Sequence, residues 1–511
     1  MNNTTIRFVG ALLFGVILSL NLAHGATYDW EVSVGNWGTA ADWAPDGVPG
    51  GSDFAFVSNV GTVQVNNTQS VQLLELGRAS SGAAGIGTLE LLTGADLTLT
   101  SFELRMGRFV GGTGTVVHTD GTLTATAGIA MAADNANSRA TYLMNGGTLN
   151  VTGGALWVGA NNGAGQGTFT HSGGTVAVND LRVGANAGGV GQYTMSGGTL
   201  TVGAGDTFFV GNSSGVGTFT MSGGTASILG SAFIGQFSDS TGTVVVTSGT
   251  MTMSGFQIQV GRSGSSGQLT INGGSVVAAN SQILVGHDSI STRPGVVTIS
   301  AGTFTVNSGN SLQIGGGGGY GTVDLTGGTF VHNGSSTKGA NGLFNFTGGI
   351  LKGTGSLSYN LTNSGGTMSP GASPGTFTIN GDYTQSSGTL LIELAGTTQN
   401  TQYDLLDVNG AASLGSLLQV QLLSFTPAFG DVFEVVEADS AISSFFANAP
   451  VNGGTYNLGP GTFRVRYNVS GFGTAGNVIL DQFTALSVPE PSTVFLMLAG
   501  GAALWHSRRR K

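Results

Sequence analysis

Glu103 with Arg105 and Asp180 with Arg182 are acid and base two residues apart, a spacing that puts both side chains on one face of an extended strand. Asp206 falls one repeat beyond Asp180, so Asp180 and Asp206 are candidates for the paired carboxylates of a glycosidase, and Arg182 beside them for the cation of a lyase. Exposed ion pairs explain the same residues with no chemistry at all. Counted back from the glycine that closes each repeat, the outward column Arg105, Trp157, Arg182, Phe209 and Phe233 is a candidate ligand face. Aromatic rings there would grip pyranose faces or pack on one another. His118 and His171 occupy a column otherwise filled by Met, Ile, Leu, Val and Phe, and read as core substitutions; His287 and His332 sit apart from them.

Other signals of chemistry are thin. No HExxH, GxSxG or P-loop occurs, and Gly315 to Gly319 lacks the lysine and helix that a phosphate cradle needs. GAGDTF at Gly203 to Phe208 occurs once, whereas calcium-binding repeats draw oxygens from successive copies. Thr168 with Thr170 and Thr218 with Thr220 suggest an ice-binding ladder, but Leu143, Gln192, Val245 and Asp324 interrupt it and ordinary β-branched strand surface explains it. No metal or cofactor is expected.

The elements that position these residues are repeats. The stretch GQYTMSGGTLTVGAGDTFFVG, Gly191 to Gly211, recurs in variants, and a glycine falls at the same place in each: Gly94, Gly121, Gly147, Gly174, Gly198, Gly224, Gly249, Gly274, Gly302, Gly328 and Gly349. Successive copies are 21 to 28 residues apart, the period of a solenoid. Apolar residues alternate before that glycine, as Leu89, Val116, Tyr142, Phe169, Tyr193 and Phe219 in one inward column and Leu91, His118, Met144, His171, Met195 and Met221 in the next. A second strand follows the GGT-like turn, and a third ends in Val-Gly or Ile-Gly. The expected fold is all-β: a parallel β-helix of about eleven coils, three short strands per coil, roughly 50 Å long, with β caps at both ends.

Composition narrows the function. Net charge is −10 with no basic stripe, which argues against a nucleic-acid partner. The absence of cysteine excludes disulfides, thiolate metal sites and a cysteine nucleophile. Residues 1–25 read as a secretory signal, with Arg7 ahead of an apolar run from Phe8 to Ala23. Residues 26–86 hold an N-terminal cap, marked by Trp30, Trp37 and Trp43, and the first strands; 87–363 are the counted repeats. Residues 364–487 are expected to be an acidic all-β C-terminal cap or a small separate domain, the repeats having lost register after Gly349.

Residues 488–511 differ in kind. Pro489, Glu490 and Pro491 precede an apolar run from Thr493 to Trp505, and a basic stop of Arg508, Arg509, Arg510 and Lys511 follows. The apolar run is short for a lasting membrane span, and the basic cluster places it on the cytoplasmic side with the body across the membrane. Triplet, short helix and Arg-rich end together resemble the PEP-CTERM sorting signal of Gram-negative bacteria. That resemblance implies recognition by an exosortase-type sorting enzyme, transient membrane association through this segment, and a host that makes exopolysaccharide. The body is similar to the β-helices of autotransporter passengers and pectin-lyase-like proteins. No run of amphipathic membrane strands ends the chain, which sets it apart from an autotransporter. The expectation is a secreted, non-enzymatic structural or adhesive protein of the cell surface or exopolysaccharide matrix. The alternative is a polysaccharide lyase or glycoside hydrolase on the same scaffold.

Overall fold

A computed structural model describes residues 25–132, 137–159, 163–237 and 239–486. One coil shows how the sequence winds. Val190–Met195 forms the first strand, its side chains alternating between water and interior, and Gly198 turns the chain at a φ of 73°. Thr199–Val202 is the second strand, the corner Gly203 to Asp206 follows, and Thr207–Asn212 is the third. Each strand pairs in parallel with its counterpart in the coils before and after, so Tyr193 stands between Phe169 and Phe219 in register. Three parallel sheets result, called here the first, second and third.

The glycine that sets the repeat is required twice over. All eleven, Gly94 to Gly349, have φ between 60° and 86°, a region where a side chain is strained. They also stack: a Cβ at Gly198 would lie 2.4 Å from the Gly174 carbonyl oxygen, and one at Gly224 would lie 2.6 Å from that of Gly198. The corner is a column of backbone on backbone.

The solenoid has about sixteen turns rather than eleven. Two strands of the first sheet, Val34–Asn36 and Asn59–Val65, precede the first glycine-marked copy. Three more, beginning at Leu361, Tyr383 and Ala412, follow the last. Glycine counting misses them for a physical reason. At the N-terminal end Asn66 and Asn67 make the corner, and beyond Gly349 the coils change length, although Gly388 still turns at a φ of 81°. At about 4.8 Å per coil the rod is roughly 75 Å long.

Both ends close by reversing strand direction. Thr27–Trp30 pairs antiparallel with Trp43–Ala44, and the rings of Trp30 and Trp37 meet that of Trp43 edge-on at 4.8 and 5.1 Å, all three buried. At the far end Val432–Ala438 continues the third sheet in parallel, and Gly476–Ala485 then pairs with it antiparallel. Gly461–Tyr467 and Gly454–Asn457 complete the closure. Open ends would offer unpaired strand edges to other chains, and these reversals cover them.

Candidate ligand surface

The outward column of the third sheet is continuous. Register places Glu75, Arg105, Ala130, Trp157, Arg182, Phe209, Phe233 and Gln259 on successive coils. The Arg182 guanidinium lies over the Trp157 ring at 4.5 Å and the Phe209 ring at 5.3 Å, and Phe209 stacks on Phe233 at 4.9 Å and 20°. The column therefore turns its ring faces toward one another, and Phe209 is only 9% exposed. Each ring of the column thus has at least one face covered by its neighbour. Further along, Glu75 is buried and binds Arg78, Arg105 and Arg108 at 2.7, 3.2 and 3.0 Å.

The two carboxylates of the enzymatic alternative have different surroundings. Asp180 accepts bonds from the Thr207 amide and hydroxyl at 2.6 and 2.7 Å, and pairs with Arg182 at 3.1 Å. It ties one coil to the next. Asp206 lies at the corner before the third strand, in a cleft of about 290 Å³ with Thr207, Leu229, Ser231, Phe233 and Phe256. Glu103 bonds Arg105 at 3.5 Å. Among the described residues, no group of three or more acidic or histidine side chains is placed to hold a metal.

The histidines of the interior are fully enclosed. His118 Nδ1 meets the Tyr142 hydroxyl at 2.9 Å and its Nε2 meets the Gly121 carbonyl at 3.2 Å; His171 repeats this with Tyr193 and Gly174. A carbonyl can only accept, so Nε2 carries the proton and Nδ1 accepts from the phenol. Burial holds both imidazoles below their usual pKa.

Sequence reasoning missed the corner between the second and third sheets. Three clefts follow one another along it. One of about 240 Å³ is lined by Asn150, Thr152, Asn179 and Thr201; the Asp206 cleft comes next; and one of about 320 Å³ is lined by Asn310, Asn333, Ser335, Thr354 and Thr378. Phe256, at the rim of the middle cleft, is 77% exposed, and among the described residues no ring or cation stacks on it. A large apolar side chain in a corner was the available signal.

Residues 487–511 match the family described as the PEP-CTERM protein-sorting motif. The chain carries a PEP-CTERM sorting motif. No curated protein matches the chain. Among solved structures it is similar to the Haemophilus influenzae Hap adhesin at 11% identity, over 85% of this chain and 64% of that one. The TM-score is 0.14, too slight a likeness to bear on fold or function.

The PEP-CTERM motif, including Pro489, Glu490, Pro491 and the basic stop from Arg508 to Lys511, lies outside the described residues, as do residues 1–24 of the signal segment. Among the described residues no helix is long and apolar enough to cross a membrane. The body reaches the motif from its C-terminal closure: the strand Gly476–Ala485 ends there, and the Leu486 amide bonds the Pro460 carbonyl. The protein is thus an exported β-helix with a sorting signal that implies processing by an exosortase-type enzyme and delivery to the cell envelope or surface.

Proposed function

We propose that this is a non-catalytic structural or adhesive rod of the cell surface or exopolysaccharide matrix of a Gram-negative bacterium. The observation that carries this reading is the PEP-CTERM motif joined to a long, end-capped β-helix. A rod whose ends are closed presents its sides, and a stack of coils presents a regular surface over a long distance. The engagement of Asp180 with Thr207 and Arg182 supports a non-enzymatic role. The column from Arg105 to Phe233 braces the coils, because its rings and Arg182 stack on one another; Phe233 alone of the five also lines the middle cleft.

The test is mass spectrometry of the protein recovered from its host after separating inner membrane, outer surface and medium. The expected product ends near Pro489 and lies outside the inner membrane. An intact chain ending at Lys511 and held in the inner membrane would sink the proposal.

A further inference from the structure

Two features of the corner clefts bear on what they take. The first, in the middle cleft, is an open aromatic ring. The rings of the third-sheet column cover one another, whereas Phe256 is unstacked above a cleft that also holds Leu229, Phe233, Asp206, Thr207 and Ser231. A sugar ring has an apolar face of C–H groups and a rim of hydroxyls, and that combination needs an aromatic plane beside short polar side chains.

The second is charge. Five of the 16 Lys and Arg lie in residues 1–25 or 487–511, and of the 26 Asp and Glu only Glu490 does; the intervening body therefore carries 11 cations against 25 anions, a net −14. Asp206 is the sole ionisable side chain lining the three clefts. The arginines around Glu75 sit on the outward face of other coils. A polyanion along this corner would meet a like-signed field, and no cation lines the three clefts to offset it. Uncharged Asn, Thr and Ser suit a neutral chain.

Direction follows from the fold. The clefts succeed one another parallel to the rod, at about 4.8 Å per coil, a step comparable to one residue of an extended polysaccharide. We infer that a neutral polysaccharide lies lengthwise in the corner between the second and third sheets, with one sugar ring seated on Phe256 and its hydroxyls on Asp206, Thr207 and Ser231. This rests on the adhesive reading above and gives it a ligand class. Weak subsites repeated along one chain act together, so binding strengthens with polymer length.

The experiment is affinity electrophoresis of the exported protein in gels containing the host's own exopolysaccharide, separated by anion exchange into neutral and acidic fractions. Wild type is expected to be retarded by the neutral fraction. Phe256→Ser weakens that retardation about tenfold, the scale of one lost ring contact, and Asp206→Asn weakens it less. Trp157→Ser, on the braced column, leaves it unchanged. Melting curves establish that each variant is folded, which the exposure of Phe256 favours. Equal retardation of wild type and Phe256→Ser overturns the corner site and leaves the adhesive reading standing, as does retardation by the acidic fraction alone. Retardation by neither fraction overturns the corner site and adhesion to this matrix together, and leaves the structural reading of the rod.

Discussion

Two stacks of rings run along this rod, one inside it and one on its third sheet. Inside, Tyr142, Phe169, Tyr193 and Phe219 lie in successive coils at 4.7, 4.7 and 5.1 Å, all fully buried. Outside, Trp157, Arg182, Phe209 and Phe233 follow the same coil-to-coil register. The inner stack has no water to satisfy its two phenols, so each takes a neutral imidazole from the preceding coil as its acceptor. The outer stack admits a guanidinium because the Arg182 side chain remains 28% exposed and Asp180 is at hand. Identical coil spacing thus tolerates a charge on the outer face of the third sheet and, inside the first, pairs the neutral groups of Tyr142 and Tyr193 with imidazoles.

The comparison breaks most readily at Phe169. Phe169→Ala removes the middle of the inner stack and is expected to cost about 3–5 kcal/mol. Trp157→Ala, at a partly exposed site, is expected to cost about 1 kcal/mol. Because each coil contacts chiefly its neighbours, hydrogen exchange should show the loss of protection at Phe169 concentrated in the coils of Tyr142 and Tyr193. Equal losses for the two variants would mean that burial does not separate the stacks.

The interior also fixes a pH dependence. His332 is fully buried, its Nε2 donates to the Ser356 carbonyl at 3.3 Å, and its Nδ1 has no partner. Burial lowers its pKa to about 4. Above about 6.5 folded and unfolded chains both hold it neutral; as pH falls, the unfolded chain takes the proton first. Stability is therefore lost from pH 6.5 down to about 4, by a total on the order of 3 kcal/mol. His118 and His171 act in the same direction. Asp404 acts oppositely: burial raises its carboxyl to about 7, so its contribution is lost as pH rises from the usual carboxylate range through 7. The difference between wild type and His332→Leu isolates the histidine. The variant, which also removes an orphaned acceptor, is expected to match wild type closely at pH 7.5 and to melt higher than wild type at pH 4.5. Parallel pH profiles would show that His332 does not stay neutral in the fold.

How much of this was legible in the sequence follows from where periodicity reaches. The inward columns and the glycine corners were, because a residue that must be buried or turn at positive φ is constrained in every coil. Sixteen coils were read as eleven because a corner at Asn66 and Asn67, or a shortened coil after Gly349, breaks the count without breaking the hydrogen-bond ladder. The outward alignment of Trp157, Arg182, Phe209 and Phe233 was also legible, but not the direction their rings face, since alternation gives a side of the sheet and says nothing of ring orientation. Phe256 escaped because the corner between the second and third strands, unlike the glycine corner, varies in length and carries no period.

Arg182→Lys tests the outer stack at its narrowest point. Lysine keeps the charge and can still approach Asp180, but it has no plane to lie between Trp157 and Phe209. The expected loss is about 0.5–1 kcal/mol, read most cleanly in a double-mutant cycle with Trp157→Leu, because the pair is in contact and the single changes should not add. A coupling of that size would show that the guanidinium acts as a spacer between rings. Additive losses would show that Trp157 adds nothing to the guanidinium's contribution, which would then rest on the bond to Asp180 and the contact with Phe209, and Trp157 would share the column without being part of the stack.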